Sequence, residues 1–149
     1  MGQRADKDVT REAFALELAR MSRWWRTRLD ERLRVIGLTQ ARWNTLLQLS
    51  RGGASLTQRE LAERVGIEGP TLVRLLDGLE TRGLIERRPV PGDRRANHVH
   101  LTEAAQPLLR EINRIAAEVR CEVLADVHPD DLEACLRVLR SIGDRLERH

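Results

Sequence analysis

Apolar residues recur every three or four positions at both ends of the chain. Near the start, one such stripe runs from Phe14 to Ile36, which places its members on one face of a long helix that Gly37 is suited to end. Towards the end, similar stripes run from Leu108 to Val123 and from Leu132 to Leu146. The pattern predicts three long amphipathic helices, one before and two after the middle of the chain.

The middle of the chain carries shorter apolar segments that are separated by glycines. Thr39 is suited to cap a helix that Gly52 stops. Thr57 and Glu60 have the spacing of a capping box, in which side chain and backbone satisfy each other at a helix start. A short helix is therefore predicted from this box to Gly66.

A fourth helix and a hairpin follow. The helix is predicted to begin at Gly69-Pro70, with the proline at its first position, and to end at Gly83. Two short helices joined by a glycine-containing turn form a helix-turn-helix. Two extended segments, Leu84 to Pro89 and Ala96 to Leu101, flank a proline-glycine-aspartate turn and predict a β-hairpin.

Together these elements predict a mainly α fold with a small β-hairpin wing, that is, a winged helix-turn-helix. The winged lobe is assigned to residues 37–102, and flanking helices are assigned to residues 1–36 and 103–149. The lobe is too small to cover the apolar stripes of the flanking helices, and their exposure costs about 25 cal/mol per Å². The same helices of a second copy would cover them, so a two-fold homodimer is predicted.

The charge of the chain is unevenly distributed. It has 149 residues with 26 lysines and arginines, of which only Lys7 is a lysine, against 23 acids. Codon usage in a GC-rich genome explains an arginine bias as well as function does, but it does not explain the distribution. Residues 20–51 carry eight arginines and two acids, whereas residues 103–149 carry seven arginines and ten acids. This asymmetry suits a protein that meets a polyanion with one side.

Several classes of protein are excluded. No apolar run of about 18 residues exists and the first residues do not resemble a signal peptide, so we expect a cytoplasmic protein without a membrane span. Cys121 and Cys135 are too few for a disulfide framework and are expected to be small buried residues. His98 and His100 share a strand face but lack further ligands at metal spacing. No catalytic motif occurs, so neither an enzyme, a metal nor a cofactor is predicted.

The fourth helix is the candidate recognition helix. Its apolar residues Leu72, Val73, Leu76 and Leu79 are expected to face the core. Pro70 and Thr71 then lie at the outer N-terminal end, where Thr71 can donate to a phosphate or a base. Arg74 is placed for a bidentate contact with guanine in the major groove. The alternative is an ordinary solvated helix face with one arginine.

The hairpin is the candidate wing. Residues 87–95 hold four arginines against one aspartate; they are Arg87, Arg88, Arg94 and Arg95. An arginine at such a tip can enter a narrow minor groove, where the potential is most negative. The alternative is an exposed charged hairpin without a partner.

The tryptophans raise the question of a ligand. Trp24 and Trp43 lie near several arginines of the first helix, including Arg23. Indole and guanidinium groups together could form a pocket for a small aromatic acid. The alternative is that these residues pack in the core or face solvent.

At this point the sequence resembles the MarR family of bacterial transcription regulators, most closely its SlyA branch. Four stretches carry the resemblance. They are Gly37-Leu38-Thr39-Gln40 with Trp43, Leu61-Ala62 with Gly66 to Arg74, Leu79-Glu80 with Gly83-Leu84-Ile85, and Asp93-Arg94-Arg95 before Leu101-Thr102-Glu103. The order of the helices extends the resemblance to nearly the whole chain.

The resemblance implies a homodimer that binds a pseudo-palindromic promoter site on double-stranded DNA. Carried onto this chain, it puts Pro70, Thr71 and Arg74 in the major groove. It puts Arg94 or Arg95 in the minor groove. Gly69 departs from the polar residue that near relatives often have there, so one DNA contact is in question.

The resemblance also implies a ligand. In many relatives a phenolic or aromatic carboxylate binds between the dimer helices and the DNA-binding lobe and lowers DNA affinity. Arg23, Trp43 and Leu47 lie where such a pocket would fall, with Trp24 beside them. Peroxide-sensing relatives have a reactive cysteine near the first helix, and this sequence has none there.

Two other functions remain open from the residues alone. One is a winged-helix module for protein interaction, which the arginine-rich wing disfavours. The other is a small-molecule-binding protein without DNA binding, which the presence of Arg74 and Arg95 disfavours.

Overall fold

A computed structural model describes residues 2–53 and 56–148, including side chains except those of residues 2–7, 94 and 95. The elements are α1 (Gly2–Arg34), α2 (Gln40–Arg51), β1 (Leu56–Thr57), α3 (Gln58–Val65), α4 (Gly69–Thr81), β2 (Ile85–Val90), β3 (Asp93–Leu101), a 3₁₀ turn (Glu103–Ala105), α5 (Gln106–Val123) and α6 (Pro129–Leu146). The fold is 72% helical with a three-stranded antiparallel sheet, which confirms the predicted fold class.

The chain falls into two compact units, Met1–Ala116 and Ala117–His149. The first unit contains the helix-turn-helix, the sheet and the first helix. The second contains the end of α5 and all of α6. The functional division predicted from the sequence, a lobe at residues 37–102 between dimerisation helices, stays a prediction.

Helix ends in the first unit follow from local chemistry. The Oγ1 atom of Thr57 accepts a hydrogen bond from the Glu60 amide at 3.2 Å, and Glu60 Oε2 accepts from the Thr57 amide at 2.8 Å, so the predicted capping box is confirmed. Gly66 ends α3 at φ 76°, a conformation that favours glycine. Thr102 occupies the N-cap position of the 3₁₀ turn, but its hydroxyl does not cap that turn and donates to the Gly83 carbonyl at 2.5 Å.

The sheet has the strand order β1-β3-β2. The predicted hairpin of β2 and β3 is confirmed, with Ile85 opposite Leu101, although β3 begins earlier than expected, at Asp93. Strand β1 escapes sequence prediction because two residues cannot show alternation. Its Leu56 pairs with Val99, and both side chains are buried.

Leucines of α1 to α4 form much of the core of the first unit, and Leu109 and Ile112 of α5 are buried as well. The buried members on α1 to α4 are Leu29, Leu33, Leu46, Leu47, Leu49, Leu61, Leu72, Leu76 and Leu79. Ile85 and Val99 close the core from the sheet. Val73 does not join them. It is 38% exposed, so its predicted core position is wrong: it lies about 100° round α4 from Leu72, beside the buried row.

The long helices leave apolar surface uncovered within one chain. On α1, Phe14, Leu18 and Met21 of the predicted stripe are exposed. Helix α6 has no buried residue among those described. Exposed apolar side chains of this kind are expected of helices that pack against a second copy.

The cysteines differ from expectation. Cys121 and Cys135 are both exposed, so the prediction that they are small buried residues is wrong for the single chain. Cys135 lies on α6, which buries none of its described residues, and Cys121 lies in the last turn of α5, where Val123 is also exposed.

The core contains one hydroxyl whose removal should stabilise the fold. Thr45 on α2 is fully buried, and its Oγ1 atom has no hydrogen-bond partner among the residues that the structure describes. A buried hydroxyl without a partner keeps its desolvation cost. We expect Thr45→Val to raise the free energy of unfolding by about 1 kcal/mol in urea titrations at fixed protein concentration.

Thr81→Val is the matched control, because Thr81 is exposed and its hydroxyl donates to the Asp77 carbonyl at 2.8 Å. We expect this control either to change the free energy of unfolding by less than about 0.5 kcal/mol or to lower it. Equal or lower stability of Thr45→Val than of the wild type would show that the hydroxyl finds a partner in solution.

Candidate nucleic-acid interface

The recognition-helix candidate α4 presents its N-terminal half to solvent. It begins at Gly69, one residue earlier than predicted, after Glu68 in the N-cap position, so Pro70 lies in its first turn. Pro70, Thr71 and Arg74 are exposed, as the sequence pattern predicts. Their positions place Pro70 and Arg74 in one row, with Thr71 beside it.

Arg74 is available for a ligand. Its side chain makes no hydrogen bond or ion pair with any residue that the structure describes. It lies one turn from the helix N-terminus, whose free amides and positive dipole end favour anions. A guanidinium here can donate two parallel hydrogen bonds to a guanine edge or to a phosphate.

Two neighbours of Arg74 extend this surface and were not among the predicted contacts. Val73 offers an exposed apolar group next to it, of the kind that contacts a thymine methyl. Asp77 follows Arg74 by three residues on the same face, and its side chain is half exposed. Once Leu72, Leu76 and Leu79 are known to form the buried row, helical position alone predicts that both residues lie on the exposed side.

The wing projects from β2 and β3 through a tight turn. Gly92 adopts φ 85° there, which a residue with a side chain rarely does. Arg88 on β2 is exposed and pairs with Glu86 two residues away. Arg94 and Arg95 belong to the backbone of β3, but their side chains lie outside the described residues, so their contacts with DNA stay predictions.

Arg87 is placed differently from the other arginines of the wing. Its side chain is 22% exposed and turns towards α4. Its Nε donates to Glu80 Oε2 at 3.0 Å, and one terminal nitrogen donates to that oxygen at 2.5 Å and to Asp77 Oδ1 at 2.6 Å. Its backbone amide donates to Glu80 Oε1 at 3.1 Å. In the described structure Arg87 thus engages two carboxylates, and the prediction that it binds DNA with the other wing arginines stays a prediction.

The charges of this cluster stabilise one another. The hydrogen bonds from the Arg87 side chain, followed by that from its amide, hold the pKa of Glu80 below its ordinary value against the opposing effect of burial. Glu80 and Asp77 in turn raise the pKa of Arg87. We refer to Asp77, Glu80 and Arg87 as the α4–wing clamp.

The four residues predicted to bind a ligand differ in exposure, and their common site stays a prediction. Trp43 and Leu47 are 4% and 5% exposed in the core. The indole nitrogen of Trp43 donates to Asp30 Oδ1 at 3.4 Å, so an acid of α1 contacts this ring. Trp24 is exposed.

The exposed indole of Trp24 is covered in part by a cation. The guanidinium of Arg20 lies 4.7 Å from the centre of its ring. Arg20 also donates to Glu17 Oε2 at 2.7 Å, so its charge is already paired on the helix surface. Arg23 is exposed one position before Trp24. Within one chain these groups form a solvated helix face.

Metal and membrane chemistry receive no support from the described part of the chain. In residues 2–53 and 56–148 no group of three or more histidines, cysteines or acids has the arrangement that could hold a metal ion. The rings of His98 and His100 lie 6.2 Å apart on one face of the sheet. Of the helices described, none is both long and apolar enough to cross a membrane.

Comparison with known proteins identifies the class to which this fold belongs. The profile of the MarR family matches residues 36–96, from the end of the first helix to the wing. The solved structure of the transcriptional regulator PA3341 is 51% identical, with a TM-score of 0.83 over 91% of this chain and 99% of its own. A MarR-family transcriptional regulator from Silicibacter pomeroyi is 25% identical, with a TM-score of 0.78 over 93% of each chain.

Wild-type MarR from E. coli, in its apo form, shares the fold at 24% identity, with a TM-score of 0.72 over 85% of this chain and 94% of its own. The chain belongs to the MarR family, whose members are DNA-binding transcriptional regulators and not enzymes. It is therefore a MarR-type transcriptional regulator. Its assignment to the SlyA branch stays a prediction.

The clamp makes stability depend on pH in a defined direction. Because the pKa of Glu80 is lowered in the folded state, its contribution to stability is present above the ordinary value of about 4.5 and is lost as pH falls through the folded value. We expect Glu80→Gln to be less stable than the wild type at pH 7. The gap between their unfolding midpoints in urea should close towards pH 3.

Glu86→Gln serves as the charge control, because Glu86 lies on β2 outside the clamp and pairs with exposed Arg88. Its expected change in unfolding free energy is below about 0.5 kcal/mol at either pH. A gap for Glu80→Gln that stays constant from pH 7 to pH 3 would contradict the role assigned to the ionised carboxylate.

Proposed function

We propose that this regulator binds a pseudo-palindromic site on promoter DNA as a homodimer, with α4 in the major groove and the wing in the minor groove. The observation that carries the proposal is the exposed N-terminal face of α4. Pro70, Thr71 and Arg74 share it, and Arg74 has no partner in the described part of the chain. A buried leucine row on the opposite side anchors this face to the core.

The homodimer is supported by the uncovered helices. Apolar side chains of α1 and α6 remain exposed in the single chain; among them are Phe14, Leu16, Leu18, Met21, Leu136, Val138 and Leu146. Members of the MarR family act as dimers. A two-fold dimer would present two copies of α4 to successive major grooves, about 34–36 Å apart on the duplex.

Control by a small aromatic or phenolic carboxylate belongs to the proposal as a prediction from the sequence resemblance. Arg23 and Trp24 are exposed and available to it. Trp43 and Leu47 are buried, so a ligand could reach them only if the packing of α1 against α2 opened. Their substitution would therefore test stability before it tested binding.

The dimer interface can be tested by charge. Leu139→Glu with Ile142→Glu places two carboxylates on the apolar side of α6, where burial against a second copy would desolvate them. We expect the wild type to scatter light as a particle of about 34 kDa, twice the chain mass of 17.1 kDa. The double variant should dissociate or unfold.

Arg148→Glu is the matched control, because it lowers the net charge by the same two units at an exposed position after α6. It should remain dimeric. A wild type of about 17 kDa at micromolar concentration would exclude the dimer, whatever the behaviour of the variants.

DNA recognition can be tested with a duplex that the wild-type protein selects from a randomised pool. Arg74→Ala should weaken binding to this duplex by about 1–3 kcal/mol and relax the base preference at one position in each half-site. The reason is the loss of a bidentate contact with one base. Fluorescence anisotropy with the selected duplex and its single-base variants measures both quantities.

Arg114→Ala controls for loss of positive charge, since Arg114 lies on α5 and donates to Glu111 there. The affinity of this variant for the selected duplex should match that of the wild type. Failure of the wild type to select any sequence would favour a winged-helix module that binds protein, and unchanged affinity of Arg74→Ala would remove this residue from the interface.

A further inference from the structure

The α4–wing clamp joins the two elements that we propose to bind different grooves of DNA, α4 and the wing. Arg87 is on β2, and both carboxylates that bind it are on the C-terminal half of α4. Within the part of the chain that the structure describes, every hydrogen bond given by the Arg87 side chain ends on one of these acids. The inference below rests on that function, because it concerns how the two elements reach DNA together.

The link between α4 and β2 is short, and backbone hydrogen bonds from Gly83 to Glu80 and from Leu84 to Leu79 hold it to the end of α4. It consists of three residues, 82–84, with Gly83 at φ 70°. The Thr102 hydroxyl donates to the Gly83 carbonyl and its amide donates to the Leu84 carbonyl, which fixes the start of β2. The clamp adds the next fixed point, further along the strand towards the wing tip.

The geometry of the clamp restrains rotation as well as distance. Both oxygens of the Glu80 carboxylate accept from Arg87, one from its backbone and one from its guanidinium. Asp77, one helical turn earlier, accepts from the same side chain. Bonds to the backbone and side chain of one strand residue resist both sliding and twisting of β2 against α4.

We propose that Arg87 is a positioning residue, which holds the wing at a fixed angle to the recognition helix and does not itself contact DNA. Arg87 also offsets one of two negative charges that would otherwise face phosphates beside α4. The clamp thus has two effects on DNA binding: the positioning effect is lost with either Glu80 or Arg87, whereas the charge effect is lost only with Arg87.

The proposal predicts a change in DNA affinity opposite to the change expected from charge alone. Removal of an acid near a DNA interface ordinarily strengthens binding, since it reduces repulsion from phosphates. If Arg87 contacted a phosphate, release from Glu80 would strengthen binding further. If Arg87 positions the wing, loss of Glu80 weakens binding although the protein becomes more positive.

The experiment measures affinity for the selected duplex with Glu80→Ala, Arg87→Ala and the double variant. We expect each single variant to bind about tenfold more weakly and the double variant to bind no more weakly than Arg87→Ala. Arg87→Lys should also bind more weakly, because an ammonium keeps the charge for a phosphate but cannot bridge two carboxylates as the planar fork does. Glu86→Ala, which removes an acid from the same strand outside the clamp, should bind as tightly as the wild type or more tightly.

A second readout separates positioning from general loss of folded protein. Stoichiometric titration gives the active fraction of each variant, and affinities are compared per active dimer. The base preference set by Arg74 should remain in Glu80→Ala, whereas the preference for flanking sequence that the wing reads should be lost. A variant that was merely less folded would keep both preferences.

The outcomes distinguish this inference from the proposed function. If the wild type binds no duplex, the proposed function fails and this inference fails with it. If the wild type binds but Glu80→Ala binds equally or more tightly, the proposed function stands and the positioning role of Arg87 is overturned. The same holds if Arg87→Lys keeps wild-type affinity.

Discussion

Burial of three leucines on one side of α4 decides which residues of this helix can meet DNA. Leu72, Leu76 and Leu79 lie almost completely inside the core, and the helical period then turns Pro70 and Arg74 outwards. Each buried leucine contributes roughly 1.5–3 kcal/mol relative to an exposed one. A rotation of α4 that exposed these leucines would therefore lose more free energy than the contacts of one arginine could contribute.

The wing depends on the same core through the sheet. Ile85 of β2 and Val99 of β3 are buried, and the pairing of β3 with both other strands fixes the base of the hairpin. Core packing holds this base but reaches no further than the buried residues. Nearer the tip, polar contacts such as those of Arg87 with Glu80 hold β2 to α4.

Features that repeat along the sequence were predictable, and features that depend on one long-range contact were not. The order of helices, the capping box at Thr57 and the hairpin follow from period, caps and turn residues. Strand β1 is too short to show a period. Hydrophobicity alone could not show that Leu72 is buried and Val73 exposed, because the two residues are apolar and adjacent in the sequence. Only the packing of the helix distinguishes them.

The candidate site shows the same limit. The exposed position of Arg74 was predictable, since it depends only on the place of this residue on an amphipathic helix. Arg87 was not, because four arginines in one wing look alike until the fold brings Asp77 and Glu80 to one of them. The buried position of Trp43, with its indole donating to Asp30, likewise depends on contact between two helices.

The distribution of charge along α4 gives the helix a direction relative to DNA. Within α4, the first eight residues contain no acid, whereas Asp77 and Glu80 occupy its C-terminal half. Phosphates are attracted to the free amides and positive dipole end at the start of the helix and are repelled by the carboxylates near its end. This polarity agrees with the proposed entry of α4 into the major groove by its N-terminal half. Arg87 holds both acids against β2, away from the end of the helix that carries Pro70 and Arg74.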